Sequence, residues 1–166
     1  QLSIIQYIYK MNYQLDEIDK KILDFLVENT RMPFTEIAKQ MEVSAGTIHV
    51  RVKKMEDAGI ILGSSLNIDY GKLDYHFTAF IGILLTKSNR TQEVLKELAT
   101  IPNVIEASVI SGKYNIFCKV KAKNTEDAKR IIYQIDDIQD VMRTESMISM
   151  QEYLSDKNRL IDAVSI

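Results

Sequence analysis

Cysteine is almost missing from this chain: Cys118 stands alone, so no internal disulfide can form. Its place in an alternating apolar run predicts a buried, reduced thiol, as in a cytosolic protein, and not a nucleophile. Histidine is equally scarce. His49 and His76 are distant in sequence, with no cysteine or paired carboxylate at ligand spacing, which argues against a built metal site. Glycine is too thinly spread for a phosphate-cradling loop, and neither a Gly-x-Ser-x-Gly elbow nor a His-Glu-x-x-His pair occurs. The acid pair Asp136-Asp137 reads as the solvated end of a helix. No catalytic residue and no cofactor is expected, so the chain does not read as an enzyme.

Long apolar runs are absent too. The opening QLSIIQYIYK is too short to span a bilayer and lacks the charged start and small-residue cleavage site of a targeting signal. Residues 1–11 read as a leader, either an upstream extension or a non-native addition, with Ile4, Ile5 and Ile8 on one helical face. An excess of positive charge is also missing. The net charge is −2, and residues 12–66 carry seven basic against nine acidic residues. Any affinity for nucleic acid must therefore come from local charge placement and from more than one recognition element.

What is present is a composition 46% hydrophobic and 27% charged, that of a soluble globular protein, in a length that suits two small domains. The organising stretch is Thr35 to Met55, TEIAKQMEVSAGTIHVRVKKM. Ile37, Ala38 and Met41 share one helical face, with Thr35 placed as an N-cap. Ser44 is placed to cap a second helix running to about Ala58, before Gly59. On that helix Ile48, Val52 and Met55 form a buried stripe, while Gly46, Val50, Lys53, Lys54 and Asp57 lie opposite it. Two short capped helices with a three- to four-residue turn are the organisation of a helix-turn-helix, whose second helix enters the DNA major groove.

The residue types suit that task. Thr47 and His49 can bond base edges, and Arg51, Lys53 and Lys54 bring positive charge to phosphates with no acid between Ser44 and Met55. Thr35, Ser44, Thr47, His49, Arg51, Lys53 and Lys54 are the expected DNA-binding set. A solvated basic face on an ordinary surface helix is the alternative. Upstream, Asp16 to Glu28 reads as a bracing helix with Ile18, Ile22, Leu23, Leu26 and Val27 on its buried side. Downstream, GIILGSSLN at 59–67 has a β-type run broken by Gly63, consistent with a wing and a linker.

From Phe77 strands and helices alternate. Strands are expected over Phe77–Thr86, Val104–Ile110, Asn115–Lys123 and about Val141–Met150, and helices over Asn89–Ile101 and from Asn124 onward. The order β-α-β-β-α-β is the split, ferredoxin-like arrangement, an antiparallel sheet with two helices on one face. The fold class is therefore α+β: a winged helix-turn-helix over 12–66, a linker over 67–74, a second domain over 75–153 and a tail over 154–166. Phe80, Leu84 and Phe117 fall on the sheet face without helices, too much apolar surface to leave wet, and predict a homodimer through that face. The alternative is that Tyr153 to Ile166 folds back over it.

Leu15-Asp16-Glu17-Ile18-Asp19-Lys20-Lys21-Ile22-Leu23, Glu28-Asn29-Thr30-Arg31, Glu36-Ile37-Ala38, Val43-Ser44, Arg51-Val52, Met55-Glu56 and Gly59-Ile60-Ile61 together resemble the Lrp/AsnC feast/famine transcriptional regulators. The likeness runs to about Tyr153 and rests on order and spacing. It implies a DNA-binding winged helix-turn-helix, a C-terminal effector and oligomerisation domain called the RAM domain, and assembly beyond the dimer, an octamer among the forms implied. It also implies an amino-acid effector at Gly112-Lys113-Tyr114-Asn115, where the family motif is Gly-x-x-Asp. Gly112 matches, and Asn115 does not. Two further departures are Glu42, in the turn where Gly is usual, and Asp74, where a Gly commonly follows Leu73. Gly112 and Asn115 equally suit a plain hairpin turn.

The leading functional reading is a sequence-specific DNA-binding transcription regulator, modulated by an amino acid or related metabolite and cytoplasmic. Its rivals are an architectural DNA-binding protein without a ligand and a small-molecule-binding α+β domain.

Overall fold

The computed structural model describes residues 13–156 and 158–164. The leader expected over 1–11 lies outside them. Of the described residues, those from 13 to 66 together with those between 155 and 164 make one compact unit, and Asn67–Leu154 makes the other.

In the first unit, helix α1 spans Glu17–Glu28 and is opened by a reciprocal capping box: Asp16 Oδ1 accepts from the Asp19 backbone N–H at 2.9 Å, and Asp19 Oδ2 accepts from the Asp16 N–H at 3.2 Å. Helix α2 spans Phe34–Gln40 and α3 spans Ala45–Asp57. Ile22, Leu23, Ile37, Ala38, Ile48, Val52 and Met55 form their common core, with Met41 and Ile161 packed against it. Val27, expected inside, is 36% exposed near the end of α1. Thr35 is not the cap of α2. Pro33, already extended at φ −61°, is the N-cap, and its carbonyl accepts from Glu36 and Ile37, which leaves Thr35 exposed inside the first turn.

Between α2 and α3 the chain makes a Schellman turn: the Val43 N–H reaches Ala38 O at 3.0 Å and the Glu42 N–H reaches Lys39 O at 3.4 Å. Glu42 takes the left-handed position of that turn at φ 56°. The missing glycine therefore appears as local strain of about 1 kcal/mol in a turn of ordinary form. Gly59, at φ 75°, closes α3 in the same way. The β-type run after it forms no strand: 60–69 is irregular, with Gly63 at φ 139° and Leu62 93% exposed. A run interrupted by glycine, with no partner strand in its own unit among the described residues, gains no ladder of hydrogen bonds.

The second unit opens with a single 3₁₀ turn, Tyr70–Leu73, closed by Asp74 in the left-handed region at φ 67°. Its strands are β1 Phe77–Leu85, β2 Val104–Val109, β3 Ile116–Ala122 and β4 Val141–Ile148, and its α-helices are α4 Thr91–Leu98 and α5 Thr125–Asp136. The sheet order is β2-β3-β1-β4 with every neighbouring pair antiparallel, which is the ferredoxin-like βαββαβ topology. α4 begins later than expected because Ser88–Arg90 winds as 3₁₀ first. Asn124 caps α5, its Oδ1 accepting from the Asp127 N–H at 2.9 Å.

Alternation sorts each strand between two faces. Ala79, Ile81, Ile83, Leu85, Ile116, Cys118, Val120 and Ala122 meet Val94, Leu98, Ala128, Ile131 and Ile135 of the helices in one core. Cys118 sits inside it, where burial pushes its thiol up to about 11 and keeps it protonated.

Candidate functional site

α3 is held so that one side is buried and the other faces out. Ser44 Oγ accepts the Thr47 N–H at 3.1 Å and lies 2.9 Å from Thr47 Oγ1, so the cap fixes both the start of the helix and the Thr47 hydroxyl. Gly46, His49, Val50, Lys53 and Lys54 are exposed, and His49 tilts against Phe34 of α2 with ring centroids 6.0 Å apart. Lys53 pairs with Asp57 at 2.9 Å, both well exposed, a contact that holds the lysine only weakly. Lys54 has no ion-pair partner among the described residues.

Arg51 stands apart from the basic set its charge suggested. Its Nη1 lies 2.9 and 2.8 Å from the two Asp16 oxygens and 2.9 Å from Asp19 Oδ1. Asp19 is buried and also accepts the Tyr13 hydroxyl at 2.9 Å. Burial and that bond to Asp19 push the Tyr13 phenol up to about 12. The Asp19 backbone N–H, and then Arg51, hold the Asp16 carboxyl below its ordinary range. The arginine therefore ties α3 to the start of α1. Nothing in the sequence signalled this, because Asp16 and Asp19 lie 35 and 32 residues before Arg51.

The loop between β2 and β3 carries the four residues expected to meet an effector. Gly112 has φ 117°, with open space around it, so a turn that excludes side chains accounts for this glycine. Asn115 joins the end of β1: its N–H reaches Ile83 O at 2.9 Å, its Oδ1 accepts the Leu85 N–H at 2.9 Å, and its Nδ2 lies 3.4 Å from Ser88 Oγ. Tyr114 lies on Gly82 of β1 and donates to Glu145 Oε2 at 2.5 Å; Lys113 reaches the same oxygen at 2.6 Å, and Arg143 pairs with the other one. Lys113, and then Tyr114, draw the Glu145 carboxyl down to about 2. Sequence reasoning missed Glu145. Only the pairing of Gly82 with Glu145 across β1 and β4 brings it under the loop.

The expected interface residues do share the face away from the helices. Phe80 and Phe117 stack there at 6.0 Å and 16°, beside Leu84, Tyr114 and Met147. At one end of that face Glu152 accepts from Lys119 and, at 2.9 Å, from Lys121, which draws its carboxyl down to about 2. The end of the second unit thus reaches back only this far. From Ser155 the chain belongs to the helical unit, where Ile161 packs.

An Lrp/AsnC ligand binding domain matches residues 78–158, and an AsnC-type helix-turn-helix domain matches residues 15–56. The chain is 40% identical over 140 residues to the regulatory protein AsnC of Haemophilus influenzae, covering 84% of this chain and 93% of that protein. The structure of E. coli AsnC superposes with a TM-score of 0.82 at 36% identity, over 86% of this chain and 97% of that one. A transcriptional regulator of Neisseria meningitidis, solved as its L-Met complex, gives a TM-score of 0.82 at 19% identity over 87% and 96% of the two chains, a likeness of fold. No helix among the described residues is long and apolar enough to cross a membrane. With its capped helix pair and ferredoxin-like sheet, the chain belongs to the Lrp/AsnC family: it is a DNA-binding transcriptional regulator with a ligand-binding domain, and not an enzyme.

Proposed function

We propose that α3 lies in the major groove of double-stranded DNA, that a homodimer presents two such helices, and that an amino acid bound at the 112–115 loop modulates the outcome in the cytoplasm. The observation that carries the first part is the outward side of α3. Thr47 and His49 near its start are placed for base edges, and Lys54 is placed for a phosphate. Thr47→Ala and His49→Ala are expected to change which bases are preferred, each by about 1–3 kcal/mol. Lys54→Ala is expected to weaken binding to all sequences and to lower the salt slope by about 1. Salt-titrated binding to duplex DNA reads all three, and three unchanged variants would remove α3 from the interface.

Support for the dimer comes from Phe80, Leu84 and Phe117, which stay only half-buried on the sheet face without helices. A second copy of the same face is the economical cover, and it supplies the second recognition helix that a chain of net charge −2 needs. Further assembly, to an octamer as the family resemblance implies, multiplies those contacts. Light scattering is expected to find no monodisperse monomer at working concentration; finding one would exclude the dimer.

The effector reading rests on family membership and on the L-Met complex of the Neisseria protein. Against it stands the loop itself, whose Lys113, Tyr114 and Asn115 are all engaged within the chain. That engagement favours a weak response, or an architectural protein with none. Asn115→Asp is compatible with the structure: one carboxylate oxygen keeps the Leu85 N–H and the other can accept from the Ser88 hydroxyl. The added charge supplies a charge-assisted bond to a ligand ammonium, roughly twice as strong as a neutral one. Calorimetry should show weak binding of ordinary amino acids to the native chain and tighter binding of at least one to the variant. If neither binds any at millimolar concentration, the sensor reading fails and the architectural one gains.

A further inference from the structure

Between the flanking polar residues, the first two turns of α3 show an apolar strip to the outside. Val50 is 52% exposed, directly opposite the buried Ile48, Val52 and Met55, and Gly46 lies one turn before it on the same side. Beside this strip the one arginine of the helix is turned elsewhere, bound to Asp16 and Asp19. Nothing among the described residues explains the glycine. A Cβ at Gly46 would meet only Ser44 Oγ, at an ordinary 3.6 Å, and glycine within a helix is about 1 kcal/mol worse than alanine. Its absent side chain leaves room for close approach from outside.

We propose that Val50 is a specificity-determining residue that reads the 5-methyl group of a thymine in the major groove, with Gly46 letting this side of the helix sit close to the base edges. The inference rests on the placement of α3 in the groove proposed above. An isopropyl group offers neither donor nor acceptor, so it cannot read guanine, adenine or cytosine through their polar edges. The thymine methyl is the apolar mark on the major-groove side of the base pairs. Removing one such methyl contact changes affinity by about fourfold, the transfer value of a single buried carbon.

The test uses the full chain and a duplex it selects from a random-sequence library. Each thymine is replaced in turn by deoxyuridine, which deletes the methyl and leaves the pairing edge intact. For the native chain one thymine per half-site is expected to lose about fourfold in affinity on this swap. For Val50→Ala the same swap is expected to make no difference, while the salt slope stays as in the native chain. The substitution is on an exposed helical position and raises helix propensity, so the variant folds. Gly46→Ala, which also favours the helix, is expected to weaken binding to every duplex. If the uracil swaps affect native and Val50→Ala chains alike, the reading of Val50 is overturned while DNA binding stands. If the native chain binds no duplex in a salt-dependent way, this inference falls together with the proposed groove contact.

Discussion

Replacing Arg51 by alanine is expected to destabilise the helix-turn-helix unit by about 2–4 kcal/mol while leaving the salt slope of DNA binding unchanged. A surface arginine on a recognition helix ordinarily predicts the reverse, little effect on stability and a lost phosphate contact. Here the guanidinium meets both oxygens of Asp16 and one of Asp19, and the Asp19 side chain is only 1% exposed. Without Arg51 that carboxylate keeps the Tyr13 hydroxyl and the Asp16 N–H but loses its counter-charge in a place water barely reaches. The expected figure sits toward the lower end for broken buried pairs, because Arg51 is itself a quarter exposed and water can enter after it. Acid provides a second reading. Asp16 is held below its ordinary range, so its contribution to stability is complete above the unfolded value near 4 and disappears as pH falls through the folded one. The gap between native and variant stability should therefore narrow in strong acid by the share of the Asp16 shift that Arg51 supplies, since the larger share from the Asp19 N–H is common to both chains. Denaturant melts across pH, with salt-titrated binding beside them, decide the matter. Unaltered stability with a slope reduced by about 1 would return Arg51 to the phosphates.

This arginine also marks where sequence reading stops. Most of what depends on local periodicity was legible: the buried stripe Ile48, Val52, Met55, the caps at Ser44 and Asn124, and the alternation that puts Cys118 inward and Phe117 outward. The strand order followed from the element order, because few topologies accommodate β-α-β-β-α-β. Partners across elements were not legible. Arg51 and Asp16 are 35 residues apart, Tyr114 and Glu145 are 31 apart, and no local pattern tells a basic residue whether a carboxylate of its own fold will reach it first. The wing failed for a related reason. Gly59–Asn67 has the composition of a strand, but a strand exists only where a second one pairs with it. Thr35 was misplaced by a smaller margin, since a proline two residues earlier already provides the extended backbone that a cap requires.

Gly82→Ala is expected to displace the 112–115 loop and to destabilise the sheet unit by about 1–3 kcal/mol, although alanine is ordinarily the better strand residue. Gly82 lies mid-strand in β1, between Phe117 on one neighbour and Glu145 on the other, and Tyr114 rests directly over it. A Cβ there would stand 2.7 Å from the Cγ, Cδ1 and Cε1 atoms of the Tyr114 ring, nearer than such atoms approach. Cγ is the root of the ring, so rotation of the ring alone does not relieve the clash; the whole side chain must leave. It cannot leave freely, because the next residue, Asn115, is fixed to Ile83 and Leu85 by two bonds of 2.9 Å. Once the tyrosine moves, its hydroxyl releases Glu145, whose carboxyl should rise from about 2 toward the ordinary range as one of its donors goes. Any ligand response seated on this loop should fail with it. The diagnostic is a double-mutant cycle. Tyr114→Ala removes the obstruction, so adding Gly82→Ala to it should have little further effect, a coupling of at least about 1 kcal/mol. Strictly additive losses in the cycle, or a Gly82→Ala chain as stable as the native one, would show that the ring does not rest on β1.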